Sequence, residues 1–208
     1  MNEPLRRSPL ARIHRGLAAA VDREAGWEIV SHYGDEAVEG ATLKDAIGLT
    51  DVTPRGKIDA RGAIDGALSS AGDALTARIS NEWALVLTEP GGEEVLVPKM
   101  ESAAGSGAMV TDATHLFAGF ALAGPAVAEA LERLTSWDPA SLEPGSATGA
   151  PIADVRAVVV RRDLDVPVLE AYVATEFARY AWEAVLDAVR RTGGGPVGWN
   201  ALRARGWS

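Results

Sequence analysis

The sequence contains no cysteine, which excludes disulfides, thiolate nucleophiles, iron–sulfur ligation and Cys-rich zinc sites. It has three histidines, His14, His32 and His115, too far apart to give a metal-site spacing. Lys and Arg number 20 against 29 Asp and Glu, for a formal net charge of -9. The basic residues are scattered apart from Arg6-Arg7, Arg161-Arg162 and Arg190-Arg191, which read as solvated surface pairs. Neutralising phosphates requires clustered cations, so no nucleic-acid partner is expected. No apolar run approaches the roughly 20 residues of a membrane span, and Met1 to Arg15 lacks a signal-peptide core. A soluble cytoplasmic protein is the expectation. Ser8, Ser31 and Ser80 lie in no nucleophile elbow, and no phosphate-cradling glycine motif is present.

What remains is an ordinary globular composition, 47% hydrophobic and 24% charged over 208 residues, enough for one domain with a sizeable core. Ser8-Pro9 followed by Leu10, Ile13, Leu17 and Val21 predicts a helix reaching to about Gly26. A second, shorter helix is expected after Thr42. Strand patterns occupy 49–52, 57–60, 79–88, 94–97, 117–122, 155–160 and 166–173, with Glu89-Pro90-Gly91-Gly92 as a hairpin turn. The stretch Asp138 to Pro151 reads as a surface loop, and Glu176 to Arg190 as a helix burying Phe177, Tyr180, Ala181, Ala184, Val185 and Ala188. A short helix is expected from Trp199 to Arg205.

One unit occurs twice, about 60 residues apart: Asp-x-Thr, strand, glycine, helix. The first copy is Asp51-Val52-Thr53, Gly62 and Leu68; the second is Asp112-Ala113-Thr114, Gly124 and Leu131. The fold class expected is α+β, a single domain over 1–208 with two similar strand–helix halves, about 8–105 and 106–205. Short βα units also look alike by chance, and both readings stand at this point.

Several blocks follow one another in a familiar order: Ala25-Gly26-Trp27-Glu28, His32-Tyr33-Gly34, Gly48-Leu49-Thr50-Asp51-Val52-Thr53, Gly56-Lys57-Ile58, Val110-Thr111-Asp112, Ala121-Leu122-Ala123-Gly124-Pro125, Leu169-Glu170-Ala171-Tyr172-Val173, Trp182-Glu183-Ala184-Val185-Leu186 and Gly194-Gly195-Pro196-Val197-Gly198-Trp199. Over nearly the whole length this order resembles the folate-binding half of the glycine cleavage T-protein (aminomethyltransferase) family. The resemblance implies tetrahydrofolate as cofactor and a place in one-carbon metabolism. Two departures accompany it. Where the family carries a longer stretch ending in paired glycines and a catalytic aspartate, this sequence has only Ser69 to Arg78, with Asp73 as sole carboxylate. It also stops at Ser208, before the family's C-terminal barrel domain. No catalytic residue is therefore assigned, and independent aminomethyl transfer is not expected. The alternative is a non-catalytic subunit of an amine oxidase or demethylase, since the size is similar to the small subunit of heterotetrameric sarcosine oxidase. A larger protein subunit or a homo-oligomer is the expected partner. The superfamily's iron–sulfur maintenance branch depends on a cysteine motif that is missing here.

The candidate folate-binding residues are Glu170, Tyr172 and Arg203. Glu170 matches a glutamate that resembles the family's pterin anchor, where a carboxylate accepts paired N–H bonds; strand alternation could instead turn it to solvent. Tyr172 either walls a flat heterocycle or belongs to the core. Arg203 matches a family arginine in one register and is a surface residue in another, with Leu202 in its place. Asp51 and Asp112, each two residues before a threonine, read as Asx turns rather than chemistry.

Overall fold

The computed structural model describes residues 4–207. After α1 (Ala11–Gly16) come β1 (Ala20–Glu24), β2 (Trp27–His32), α2 (Glu36–Asp45), β3 (Gly48–Asp51), β4 (Gly56–Gly62) and α3 (Asp65–Ser69). Then follow β5 (Leu75–Ser80), β6 (Trp83–Thr88), α4 (Glu93–Ala104), β7 (Ala108–Asp112), β8 (Phe117–Ala123) and α5 (Val127–Leu131). The remainder is β9 (Ala147–Ile152), β10 (Val155–Asp163), β11 (Pro167–Ala174), α6 (Ala178–Arg191), β12 (Gly195–Pro196) and α7 (Trp199–Arg203).

Among the described residues the strands form a six-stranded sheet, β12-β3-β8-β11-β10-β9, a four-stranded sheet, β5-β6-β4-β7, and the β1–β2 hairpin. Strand alternation decides how they stack. On β11, Leu169, Ala171 and Val173 pack against Trp182, Val185 and Val189 of α6. Val168 and Tyr172 face the other way, into a cluster shared with Ala77, Leu85 and Leu87 of the four-stranded sheet. The far face of that smaller sheet, with Ile58, Ala60, Ala84 and Val86, packs on Ile64, Ala67 and Met100 of the α3–α4 side. The result is an α+β fold of four layers, helices outside and two sheets within.

The chain crosses between the sheets twice, at equivalent places. It leaves the larger sheet at Asp51 and enters the smaller at Gly56, then leaves the smaller at Asp112 and enters the larger at Phe117. Strand β3 pairs with β8, and β4 with β7. Each crossing begins with the same turn: Thr53 N–H donates to Asp51 Oδ1 at 3.0 Å and Thr114 N–H to Asp112 Oδ1 at 2.9 Å. Each threonine hydroxyl then accepts the N–H of a residue in the other unit. Gly119 N–H donates to Thr53 Oγ1 at 3.2 Å, and Lys57 N–H to Thr114 Oγ1 at 3.1 Å. Gly62 and Gly124, which follow the two strands, both have positive φ, +82° and +134°, and open α3 and α5.

Five expectations give way, the first being the helix expected after Thr42, which instead spans Glu36–Asp45. The helix predicted from Leu10 towards Gly26 ends at Gly16, and Ala20–Glu24 instead pairs with β2. Ala25 and Gly26 both take positive φ, 45° and 76°, the two-residue turn that suits a hairpin's twist, and Val21 is consequently exposed. Residues 94–97 form the first turns of α4, which carries Pro98 inside it, and the hairpin turn lies at 81–82 rather than 89–92. On α6, Trp182 is the buried aromatic, while Phe177 and Tyr180 are 46% and 55% exposed. The loop expected over 138–151 contains strand β9 at its end.

Candidate functional site

Glu170 shares the parity of Val168 and Tyr172 on β11, so it points into the layer between the two sheets and is 0% exposed. Four of the chain's own side chains converge on its carboxylate. Arg55 Nη1 donates to Oε1 at 3.2 Å and to Oε2 at 3.1 Å. Arg162 Nη1 reaches Oε1 at 3.2 Å. The Tyr172 hydroxyl donates to Oε2 at 2.5 Å, and the Trp207 indole N–H to Oε1 at 2.6 Å. An ionised carboxylate offers about four acceptor positions, and five donor contacts use them. Burial alone pushes a carboxyl's pKa up; here the Arg55 charge, the Tyr172 bond and the remaining donors win, holding Glu170 below the usual range. Burial raises the Tyr172 phenol well above its ordinary value, and the neighbouring Glu170 charge adds to it.

Each partner is placed by local structure. Tyr172 lies opposite Gly119 of β8; a Cβ there would come within 2.7 Å of the tyrosine ring, so the glycine leaves room for the ring over the strand. Arg162 sits two residues beyond Val160, the cross-strand partner of Glu170, and is a diagonal neighbour on the same face. Arg55 comes from the first crossing loop. That loop is tied from beneath by Lys57, whose Nζ donates to the carbonyls of Thr53 and Arg55, both at 2.7 Å. Lys57 is itself 0% exposed, and burial brings its pKa down to about 7. Trp207 follows α7; its ring lies 4.9 Å from the Arg55 guanidinium and meets Trp199 edge-on at 4.9 Å.

Of the three folate-binding residues expected from sequence, the fold joins two. Glu170 and Tyr172 are bonded to each other. Arg203 instead makes a bidentate pair with Glu24, both bonds 2.8 Å, reaches Glu89 at 3.1 Å and lies 4.7 Å from the Trp199 ring. It ties α7 to the β1–β2 hairpin. Arg55, Arg162 and Trp207 are the members that sequence reasoning did not single out. Only Arg162 had a readable signal, because a hairpin joining the 155–160 and 166–173 runs sets it near Glu170.

A second buried polar group lies on the opposite face of the larger sheet. His14 Nε2 is 2.7 Å from Asp51 Oδ2, and the Tyr33 hydroxyl is 2.8 Å from His14 Nδ1. Asp51 thus serves the Asx turn and a histidine contact together. Burial opposes its charge, yet the His14 and Thr53 bonds hold its pKa below the ordinary value. A cavity of about 140 Å³ adjoins this group, lined by Ser8, His14, Arg15, Glu28, Asp51 and Pro54 among others. Among the described residues no cluster of His, Asp and Glu is arranged to hold a metal ion.

The model of the GCVT N-terminal domain matches residues 69–205. The chain belongs to this family. Among curated relatives, the aminomethyltransferase of Streptomyces avermitilis is 26% identical across 93% of the chain, and that of Geobacillus kaustophilus 28% identical across 95%. The chain spans only 60% and 62% of their lengths. Among solved structures, the glycine cleavage system aminomethyltransferase T of Bartonella henselae superposes with a TM-score of 0.80 at 19% identity, over 97% of the chain and 62% of its own length. One chain of the heterotetrameric sarcosine oxidase from Corynebacterium sp. U-96, in complex with pyrrole 2-carboxylate, gives 0.67 at 19% identity, over 91% of the present chain and 97% of its own. Both show the fold. Within this GCVT domain, Asp73 is exposed between α3 and β5. A pterin edge offers paired N–H donors and needs free acceptor positions. At Glu170 those positions are taken by the chain's own donors.

Proposed function

We propose that this chain is a non-catalytic subunit with the T-protein fold, serving a multi-subunit amine oxidase or demethylase rather than transferring aminomethyl groups by itself. The observation that carries the proposal is the saturated, fully buried carboxylate of Glu170. The likeness of the chain's fold to one chain of a heterotetrameric oxidase supports the same reading. The partner would be a larger subunit or a second copy of the chain. Leu116, Phe177 and Tyr180 are large apolar residues left exposed near the start of α6, and Thr175 N–H donates to Leu116 O at 3.0 Å, bringing two of these segments together. A cytoplasmic location and a single domain with halves at about 8–105 and 106–205 belong to the proposal. The paired Asx turns and the matching strand orders support the two halves.

The second reading, a tetrahydrofolate-binding protein of one-carbon metabolism, draws on the family and on the Glu170–Tyr172 pair. Calorimetric titration of tetrahydrofolate into the purified chain separates the two. The expected result is no binding at 100 μM protein, on the order of the weakest interaction such a titration resolves. Micromolar binding that falls about tenfold to a hundredfold in Glu170→Gln, the loss of a charged acceptor, would overturn the proposal and establish the folate reading.

A further inference from the structure

We infer that the cavity beside His14 and Asp51 is a binding site for a small zwitterionic α-amino acid, its ammonium on Asp51 and its carboxylate on Arg15. The site lies on the face of the larger sheet opposite Glu170, so the inference goes beyond the subunit reading and stands or falls apart from it. Size limits the class first. The cavity measures about 140 Å³; a water needs roughly 10–15 Å³ on this measure, which leaves room for about ten non-hydrogen atoms. A nucleotide is excluded and an amino acid with a short side chain fits. Ala11, Ala19, Val30 and Pro54 give it apolar walls for that side chain.

Charge decides the rest. At the floor, Asp51 is 3% exposed and its carboxyl is held below the ordinary range by its hydrogen-bond donors. His14 does not cancel this charge. A neutral imidazole with its proton on Nε2 satisfies both its contacts, donating to Asp51 Oδ2 at 2.7 Å and accepting the Tyr33 hydroxyl on Nδ1 at 2.8 Å. Of about four acceptor positions on a carboxylate, the Thr53 N–H, His14 and the Ser8 hydroxyl use three, and one more donor can be taken. At the rim the sign reverses. Arg15 is exposed and makes no hydrogen bond or ion pair among the described residues. Glu28 is paired with Arg7 at 2.7 Å, and the fields of Arg15 and Arg23 reach it as well, so three cations face one carboxylate. An amine alone would meet a repelling rim, and a carboxylate alone a repelling floor. A zwitterion satisfies both, with an N–H for the buried acceptor and two oxygens for the planar guanidinium.

The test is backbone amide NMR of the full chain titrated at pH 7 with L-alanine, propionate, ethylammonium and the N,N,N-trimethyl derivative of alanine, which keeps both charges and loses every N–H. The expected result is a saturable shift of the Ala11, Ala19 and Val30 amides at millimolar L-alanine, with each of the other three probes roughly tenfold weaker or more. Arg15→Gln, an exposed change that leaves Asp51 and His14 untouched, should weaken L-alanine about tenfold and leave ethylammonium no weaker than before. No saturable shift up to about 50 mM L-alanine, propionate or the trimethyl derivative binding as tightly as L-alanine, shifts centred elsewhere, or an unchanged affinity in Arg15→Gln each overturn the inference. Tetrahydrofolate binding to the wild type would defeat the subunit reading alone, because it leaves the comparison among these four probes as it stands.

Discussion

At Glu170 the fold has placed a negative charge where an apolar side chain would sit, and surrounded it. Removing one partner of a buried charged pair costs roughly 3–5 kcal/mol because the other charge is left without compensation. Glu170→Gln should therefore lower the unfolding free energy obtained from urea titration by an amount in that range, and Glu170→Gln unchanged in stability would mean the Arg55 contact is not formed. Lys57 makes a prediction of the opposite kind. Its pKa falls from 10.5 unfolded to about 7 folded, so between those values the unfolded chain binds the extra proton. Stability then rises as pH increases from 7 to about 10, by up to about 1.4 kcal/mol per unit from this group, and the penalty is full below 7. Tyr33 and Tyr172, whose pKa values burial raises, act against the trend only above pH ~10, the ordinary phenol value. Urea titrations across this range should show the slope in wild type and its loss in Lys57→Met; equal slopes in the two proteins would refute it. Glu170 was legible through its match to a family glutamate, and Tyr172 through its place two residues on along the same strand. Arg55 and Trp207, 115 and 37 positions away from Glu170, have no local pattern that points to it.

Among the elements, the two crossings hold each other. Thr53 and Thr114 are both buried, and each accepts a backbone N–H from the other unit. Thr53→Val and Thr114→Val keep the shape and orphan one buried N–H apiece, at a cost of about 1–3 kcal/mol each. Chemical denaturation of the two variants should show losses in this range; a loss at one site and none at the other would remove the equivalence. The repeated Asp-x-Thr was readable because an Asx turn is written in three consecutive residues. The length of α1 was not readable, because Leu17 to Val21 continues the helical spacing while the reversal depends on positive φ at Ala25 and Gly26. The α4 start was obscured similarly: a helix is readable from Pro98 to about Ala104, but Glu94 to Val97 alternates weakly like a strand and hides its first turns.

For the molecule as a whole, the strand order is the part that no local pattern could supply. Which sheet a strand joins is settled by pairings such as β3 with β8, far apart in sequence. Both sheets contribute to one apolar cluster, and the Arg55–Glu170 pair joins the first crossing loop to β11. Unfolding should accordingly be a single cooperative event. Far-UV circular dichroism and tryptophan fluorescence should give superimposable urea curves; separated midpoints would show that the two sheets come apart independently.

The double crossing also fixes an order of completion during synthesis. Strand β3 is made early, yet both its partners, β8 and β12, come from much later in the chain. A nascent chain carrying β3 and β4 thus holds two unmatched edges. The smaller sheet can close once β7 has emerged. The larger must wait for β8 to β11. Pairings this distant in sequence make for slow folding, with unpaired strands at risk of misassociation meanwhile. Of the four side chains that converge on Glu170, Trp207 is the last to be synthesised.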